Sequence, residues 1–401
     1  AAGEVGMAGD DFSHPPLPPT TEGDRLDWLR LLRSRRVGIA TFRHLLHEHG
    51  TARAALKALP GVARAAGVEG YAPCPEGVAQ AEYRAGTALG ARLVARGEAL
   101  YPPLLALVPD APPLLWALGD AALLRTPMVA LVGARNASSL GLRMARLLAD
   151  GLRGAGLTVV SGLARGIDAA AHDAALPATV AVMPGGLDVI YPEENRALAA
   201  RLAERGLRVS EHPIGLDPQA RHFPARNRIV SGLSLGVVVV EAAERSGSLI
   251  TARAAADQGR EVLAVPGHPI DPRAAGCNLL LRDGATLVRG AEDALEALAP
   301  ARARLEALLA APQAAAAPAP EADAPRAGPP PRRDPTPAPS PPAPADLHAL
   351  ILDRLGPSPV AQDQLIRDLG TGAAALAPAL MDLELEGRIQ RHPGGLVALA
   401  P

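Results

Sequence analysis

Arginine side chains follow several short apolar segments in the middle of this sequence. A guanidinium group donates paired hydrogen bonds to phosphate and is too basic to act as a general acid or base near neutral pH. The arginines that stand in these positions are Arg135, Arg165, Arg221, Arg226, Arg228 and Arg245. Gly, Ser and Asn surround them, and Gly-rich turns at helix N-termini add backbone N–H donors for an anion. These residue types are typical of a site that holds anions and does not move protons.

The elements that would position these arginines are short strands alternating with helices. Six Val-rich segments are predicted as strands: Met128–Val132, Leu157–Val160, Thr179–Met183, Leu207–Ser210, Gly236–Glu241 and Glu261–Val265. Helical periodicity lies between them, at Leu140–Leu152, Glu193–Arg205 and Leu249–Gln258. This alternation predicts a Rossmann-like α/β domain, with a mainly parallel sheet covered by helices on both faces. Loops after parallel strands meet at one sheet edge, where ligands bind, so we expect the arginines to converge there.

Three motifs that would indicate an enzyme do not fit this domain. A dinucleotide fingerprint needs a second Gly where Arg135 stands, and an acid where the second strand ends in Ser161-Gly162. A Walker phosphate loop needs Gly-Lys-Ser/Thr, and the one lysine, Lys57, lies in no such motif. Gly232–Gly236 matches Gly-x-Ser-x-Gly, but it leads from a helix into a strand, the reverse of a nucleophile elbow. We therefore predict no catalytic residue and no cofactor.

Isolated acids and histidines offer weaker hypotheses. Asp168 and His172 stand four residues apart at a predicted helix start and could pair, although a carboxylate there is also expected to complement the helix dipole. We favour that structural interpretation. Glu241 at a strand end and Asp188 after a Pro-Gly-Gly turn have no nucleophile beside them. Three clustered histidines are predicted to lie on the polar side of a helix and to bind no metal: His44, His47 and His49.

Composition bounds the class of protein. The 401 residues allow two or three domains. The formal charge of −2 provides no global attraction for polyanions, so a nucleic-acid site must be a local patch. Two distant cysteines, Cys74 and Cys277, suit a reducing compartment. No apolar run has membrane-spanning length and no signal pattern precedes the first domain, which predicts a cytoplasmic protein without a membrane partner.

The chain divides into five predicted regions. They are a disordered N-terminus (1–20), a small helical SAM/helix-hairpin-helix-like module (21–70), the Rossmann-like domain (71–300), a Pro/Ala-rich linker (301–345) and a winged-helix module (346–401). Leu59–Val62 is predicted as a hairpin turn of the helical module, and Leu114–Leu118 as an edge strand of the sheet. The third winged-module helix, Ala374–Leu385, carries no Arg, so protein contact or a structural role is as well supported as DNA recognition.

Six motifs of the central domain, in one order, resemble those of the DNA-processing protein A (DprA, also called Smf) family. They are Gly133-x-Arg135, Ser161–His172, Tyr191–Asn195, Phe223–Ile229, Gly247–Arg253 and Asn278–Gly284. The resemblance implies a homodimeric cytoplasmic bacterial protein that binds and protects incoming single-stranded DNA during natural transformation and helps load the RecA recombinase. It carries over DNA-binding roles to Gly133 and Arg135 in the first loop and to Phe223, Arg226 and Arg228 in the fourth. Ala134 stands where Ser is commoner in the family.

The predicted single-stranded DNA site therefore lies at one edge of the sheet. Its residues are Gly133, Arg135, Arg165, Phe223, Arg226, Arg228 and Arg245. Phe223 either stacks on a base or anchors its loop in the core, and the sequence leaves both open. The alternative function is a nucleoside-monophosphate phosphoribohydrolase of similar fold. Such enzymes carry Pro-Gly-Gly-x-Gly-Thr-x-x-Glu, whereas Pro184-Gly-Gly186 is followed here by Leu-Asp-Val-Ile.

Overall fold

The computed structural model describes residues 18–310, 344–355, 360–369, 371–392 and 396–400. The chain forms two compact units, Ala1–Leu305 and Glu306–Pro401. Most of the predicted disordered N-terminus and most of the predicted linker lie outside the described residues. Among those described, no helix combines the length and apolar character needed to cross a membrane.

The first unit contains a nine-stranded sheet. Its strands are β1 (Arg92–Ala95), β2 (Leu114–Gly119), β3 (Met128–Val132), β4 (Thr158–Ser161), β5 (Thr179–Val182), β6 (Leu207–Ser210), β7 (Gly236–Val239), β8 (Glu261–Ala264) and β9 (Thr286–Leu287). The helices up to residue 310 are α1 (Glu22–Leu32), α2 (Ile39–His49), α3 (Ala52–Ala65), α4 (Glu76–Ala88), α5 (Pro103–Ala106), α6 (Ser139–Gly154), α7 (Ile167–Ala175), α8 (Arg196–Arg205), α9 (His222–Leu233), α10 (Ser248–Asp257), α11 (Ala275–Arg282) and α12 (Ala291–Ala310).

The strand order is β1-β2-β6-β5-β4-β3-β7-β8-β9, and every pairing from β6 to β9 is parallel. The predicted mainly parallel α/β sheet is therefore confirmed. The order reverses at β3, whose neighbours are β4 and β7, so the crevice beyond the ends of β3 and β7 is the topological switch point. Residues of β3, β4 and β7 are buried throughout because their Val, Ala and Leu side chains are covered on both sheet faces.

The prediction of Leu114–Leu118 as an edge strand is wrong. β2 pairs antiparallel with β6 on one side and with β1 on the other, so β1 forms the edge. β1 is only four residues long and begins with Arg92. A segment this short does not show enough periodicity to predict a strand.

The N-terminal helices share one hydrophobic core with a face of the sheet. Buried Trp28 and Phe42 belong to the same cluster as Trp116 of β2. The Trp116 indole Nε1 donates a hydrogen bond of 3.0 Å to Glu82. The Glu82 carboxylate also forms an ion pair of 2.9 Å with Arg33 of the helical module. The proposed hairpin turn at Leu59–Val62 is corrected as well, because these residues continue α3 with Pro60 inside the helix.

The second unit has a winged-helix arrangement, as predicted. Its elements are α13 (Pro344–Arg354), β10 (Val360–Ala361), α14 (Gln362–Leu369), α15 (Ala373–Leu385), β11 (Ile389–His392) and β12 (Leu396–Leu399). β12 pairs with both β10 and β11 to form a three-stranded sheet. Helix α12 continues through Ala310, ten residues into the region predicted as linker.

Candidate functional site

A cavity with a volume of about 990 Å³ opens at the switch point. We call it the switch-point pocket. Its wall is built from the loop after β3, the loop after β4, the first turns of α9 and the loop from β7 into α10. Five of the seven predicted site residues line it: Gly133, Arg135, Phe223, Arg226 and Arg245. The sheet topology therefore brings together residues more than a hundred positions apart in the sequence.

The pocket is locally basic although the chain is not. Its lining includes four arginines, Arg135, Arg226, Arg245 and Arg273, against one carboxylate, Asp168. The whole chain has a formal charge of −2. Because the chain as a whole has no positive charge to attract a polyanion, a polyanion site must be a local basic patch, and this pocket is such a patch. Arg273 belongs to the patch but was not among the predicted site residues.

Gly133 lets the first loop pass close to its neighbours. A Cβ on Gly133 would lie 2.6 Å from Cγ1 of Ile167 and 2.9 Å from the carbonyl oxygen of Glu241. The next residue, Ala134, donates its backbone N–H to that same carbonyl at 2.7 Å. This close packing places Arg135 at the mouth of the pocket, with its side chain exposed and its guanidinium carbon 5.3 Å from the Phe223 ring centroid.

Arg226 lies at the base of the pocket and is only 5% exposed. Its Nη1 donates to the carbonyl of Val182 at 3.1 Å, while its Nε has no hydrogen-bond partner among the described residues. Burial lowers the pKa of Arg226 to about 10, with nearby Asp168 opposing the shift. A Cβ on Gly162 would collide with this guanidinium, so a side chain there would displace Arg226 from its present position. Arg226 is thus a buried cation beneath the pocket and not the loop-borne side chain that was predicted.

Arg228 does not line the switch-point pocket, which corrects its predicted place in the site. Its guanidinium forms an ion pair of 2.5 Å with Glu211 and donates to the carbonyl of Asp110 at 2.6 Å. The predicted loop is in fact helix α9 from His222 onward. Residues two apart on a helix point about 200° apart around its axis, so Arg226 and Arg228 face opposite sides.

Phe223 forms the centre of an aromatic group at the pocket. The Tyr191 ring meets it edge to face, with centroids 5.5 Å apart and planes at 69°. Tyr191 is 44% exposed, whereas Phe223 is partly buried between Tyr191 and Arg135. Tyr191 was not among the site residues predicted from the sequence. The signal available was an aromatic residue just beyond a Gly-rich strand-end loop, in a chain that is only 2% aromatic.

The remaining predicted residues take different positions. Arg245 is exposed on the loop before α10 and lines the pocket beside Ser246 and Gly247. Arg165 does not line it; this exposed side chain lies 3.5 Å from Glu194 in an adjoining cleft. Arg221 immediately precedes α9, and its Nε contacts His222 at 3.4 Å.

The acids at this edge are engaged with backbone donors. Asp168 accepts hydrogen bonds from the backbone N–H groups of Gly162 at 3.1 Å and Ala164 at 3.3 Å, although burial raises its pKa. Glu241 accepts from Ser138, from the backbone N–H at 3.0 Å and from Oγ at 2.5 Å, and so holds the N-terminus of α6. The favoured structural interpretation of Asp168 agrees with these contacts.

His172 and the other candidate ligands have local structural partners. Nδ1 of His172 lies 2.7 Å from Thr179 Oγ1, which itself donates to the carbonyl of Val159 at 2.8 Å. Asp188 accepts from the backbone N–H of Gly215 at 2.8 Å, and His44 lies 3.4 Å from Glu48. Within the described residues, no group of three or more His, Cys, Asp and Glu side chains is placed to hold a metal ion.

The chain matches three protein-family models. The model of the DNA recombination-mediator protein A matches residues 92–299, which include the whole switch-point pocket. The models of a DprA-like N-terminal HHH domain and of a DprA winged helix domain match residues 22–85 and 335–395.

Curated relatives and a solved structure agree with these matches. Protein Smf of Escherichia coli (strain K12) is 47% identical over 210 residues, which cover 51% of this chain and 56% of that protein. The DNA processing protein DprA of Streptococcus pneumoniae is 46% identical over 198 residues, covering 49% of this chain and 70% of that protein. The X-ray structure of the Streptococcus pneumoniae protein is similar with a TM-score of 0.51 and 39% identity, covering 59% of this chain and 86% of that chain. The match thus spans little more than half the length of the Escherichia coli relative.

Proposed function

The chain belongs to the DNA recombination-mediator protein A family, and on that basis we propose that it binds single-stranded DNA in the switch-point pocket. The observation that carries this proposal is the convergence of exposed Arg135 and Arg245 with an exposed aromatic side chain, Tyr191, at one opening. Guanidinium groups bind phosphates, and an aromatic face stacks on a base that is free of a complementary strand. A duplex keeps its bases stacked inside and would leave Tyr191 unused.

The pocket supports binding without cleavage, and we propose that the protein is not an enzyme. Its lining offers arginines and backbone N–H groups, which stabilise anions without exchanging protons. Asp168, the one carboxylate in the lining, and Glu241, which follows β7, are held by backbone N–H donors of neighbouring loops. The phosphoribohydrolase alternative would need an acid at this edge, and the carboxylate of Glu241, the acid that follows β7, is directed at Ser138.

The wider role follows the family. We propose that the protein acts in the cytoplasm, protects single-stranded DNA that enters the cell during natural transformation, and helps load the RecA recombinase. We also propose that it works as a homodimer. The names of its relatives, which describe DNA processing, support the DNA part of this role.

Removing Arg135 tests the proposal at a single residue. Losing one charge-assisted phosphate contact costs about 1.5–3 kcal/mol, so Arg135→Ala should weaken binding of a fluorescent oligothymidylate by about tenfold or more. The melting temperature should stay unchanged because the side chain is exposed. Arg64→Ala is a matched control, since Arg64 is an exposed arginine on α3.

Nucleotide cleavage, assayed on the same preparations, separates the two functions. We expect no release of base from nucleoside monophosphates by the wild-type protein or by Glu241→Gln. Cleavage by the wild-type protein that disappears in Glu241→Gln would establish the hydrolase function instead. Equal DNA binding by wild type and Arg135→Ala would remove the switch-point pocket from the proposal.

A further inference from the structure

A second basic cavity adjoins the switch-point pocket. It has a volume of about 500 Å³ and lies between α6, α7 and α8. We call it the arginine cleft. Arg135 and Asn136 line both cavities, so the pocket and the cleft meet at the loop after β3. An extended ligand can therefore pass from one to the other across Arg135.

The cleft is lined by more arginine than carboxylate. Arg146 of α6, Arg165 of the loop before α7 and Arg201 of α8 join Arg135, and two carboxylates, Asp173 and Glu194, oppose these four guanidinium groups. All four arginines are exposed. Leu142, Ala169 and Ala170 contribute apolar side chains to the lining. An excess of exposed guanidinium groups around a narrow groove is suited to a phosphate backbone.

The two carboxylates hold their arginines weakly. Arg201 lies 2.6 Å from Asp173, with the two side chains 46% and 52% exposed. Arg165 lies 3.5 Å from Glu194, and these side chains are also about half exposed. Exposed ion pairs are close to neutral in free energy, so a phosphate group can replace the carboxylate at little cost. Among the described residues, Arg146 has no carboxylate partner.

We propose that the arginine cleft is a second phosphate-binding segment for the same nucleic-acid strand. This inference rests on the proposed function, because it extends the path of a strand already held in the switch-point pocket. The strand leaves the pocket over Arg135, and its next phosphates bind Arg165, Arg146 and Arg201. A strand long enough to reach the cleft therefore gains contacts that a short one lacks.

Oligothymidylates of graded length, from about 4 to about 16 nucleotides, provide the test. The double variant Arg146→Ala/Arg201→Ala should bind the shortest oligonucleotide like wild type and the longest at least tenfold more weakly, because two phosphate contacts are lost. Its salt slope for the longest oligonucleotide should be shallower by about 1.4, at about 0.7 per phosphate. Arg64→Ala/Arg92→Ala removes two exposed arginines elsewhere in the first unit and should change nothing.

Removing the charges of the two cleft carboxylates, Asp173 and Glu194, tests the same proposal through an expected gain in affinity. Asp173→Asn/Glu194→Gln releases both arginines, so we expect the longest oligonucleotide to bind several fold more tightly and the shortest to be unaffected. Arg146→Lys/Arg201→Lys retains charge and should recover part of the lost affinity.

Two results would contradict the proposed role of the arginine cleft but leave the proposed role of the switch-point pocket intact. One is equal binding of every length by wild type and Arg146→Ala/Arg201→Ala. The other is an equal loss at every length, which would show that the cleft is not a separate segment. If the wild-type protein binds no oligothymidylate of any length, the proposed function itself fails and the cleft fails with it.

Discussion

The sequence left two roles open for Phe223: stacking on a base, or anchoring its loop in the core. The structure offers two aromatic residues for these roles, Phe223 and the neighbouring Tyr191. Phe223 is partly buried, with Tyr191 against one side and Arg135 against another. Tyr191 presents the more exposed ring. We infer that Phe223 chiefly supports the aromatic group and that Tyr191 offers the face on which a base stacks.

Tyr191→Ala should therefore weaken single-strand binding by about 1–3 kcal/mol, the range for one stacked base, with little effect on melting temperature. Tyr191→Phe keeps the ring and should bind like wild type. Phe223→Ala should lower both affinity and melting temperature, because it removes the ring that holds Tyr191 and Arg135. Fluorescence anisotropy and thermal melts of the three variants measure both quantities. Normal affinity in Tyr191→Ala would show that its ring is not used.

Residue identity alone could predict that arginines would gather at this edge, but not which of them are accessible. Arg226 and Arg228 look equivalent in the sequence. Helix α9 turns one toward the pocket base and the other toward Glu211 and Asp110. The segment Arg221–Arg228 was assigned to a loop, yet it is helical from His222 onward, and Pro224 is tolerated there because it lies in the first turn of the helix. That single misassigned element accounts for the misplaced Arg228.

His172 of helix α7 forms a hydrogen bond with Thr179 of strand β5. The Thr179 hydroxyl hydrogen is directed to Val159, so His172 must supply the proton between Nδ1 and Thr179 Oγ1. Nε2 is then unprotonated, buried and without a partner among the described residues. Burial lowers the pKa of His172 to about 3, and Arg226 adds to the shift. The imidazole is neutral in the folded protein.

This histidine makes stability depend on pH. Between its unfolded pKa of about 6.5 and its folded pKa of about 3, only the unfolded state binds the proton, so stability falls as pH falls through that window. The contribution is about 1.4 kcal/mol per pH unit. In urea unfolding, the loss of stability between pH 6.5 and 4.5 should be about 2 kcal/mol smaller in His172→Gln than in wild type. An unchanged pH dependence in His172→Gln would contradict this assignment.

Strands of the parallel sheet were predictable because burial on both faces demands continuous Val and Ala. β3 and β6 have the predicted bounds, and β4, β5, β7 and β8 differ from theirs only at the ends. β1 was missed, and β2 was given the wrong place, because pairing at a sheet edge depends on partners distant in sequence. The same limit applies to Tyr191, whose role depends on contact with Phe223 from another loop.

The whole molecule combines a near-neutral net charge with a basic site. A formal charge of −2 gives no long-range attraction for DNA, so we assign the proposed DNA affinity to the few arginines at the switch point and in the arginine cleft. The winged-helix unit adds no arginine on the described part of its third helix. We therefore expect DNA binding to neutralise only a few phosphates.

The most direct test of the account compares single-stranded and duplex DNA over a range of salt concentrations with the full-length protein. We expect tighter binding to a single strand of oligothymidylate than to a duplex of equal length. With about four phosphates neutralised, log affinity should fall against log salt with a slope of about −3. A preference for duplex, or an affinity that does not change with salt, would contradict a single strand held by its phosphates at the switch-point pocket.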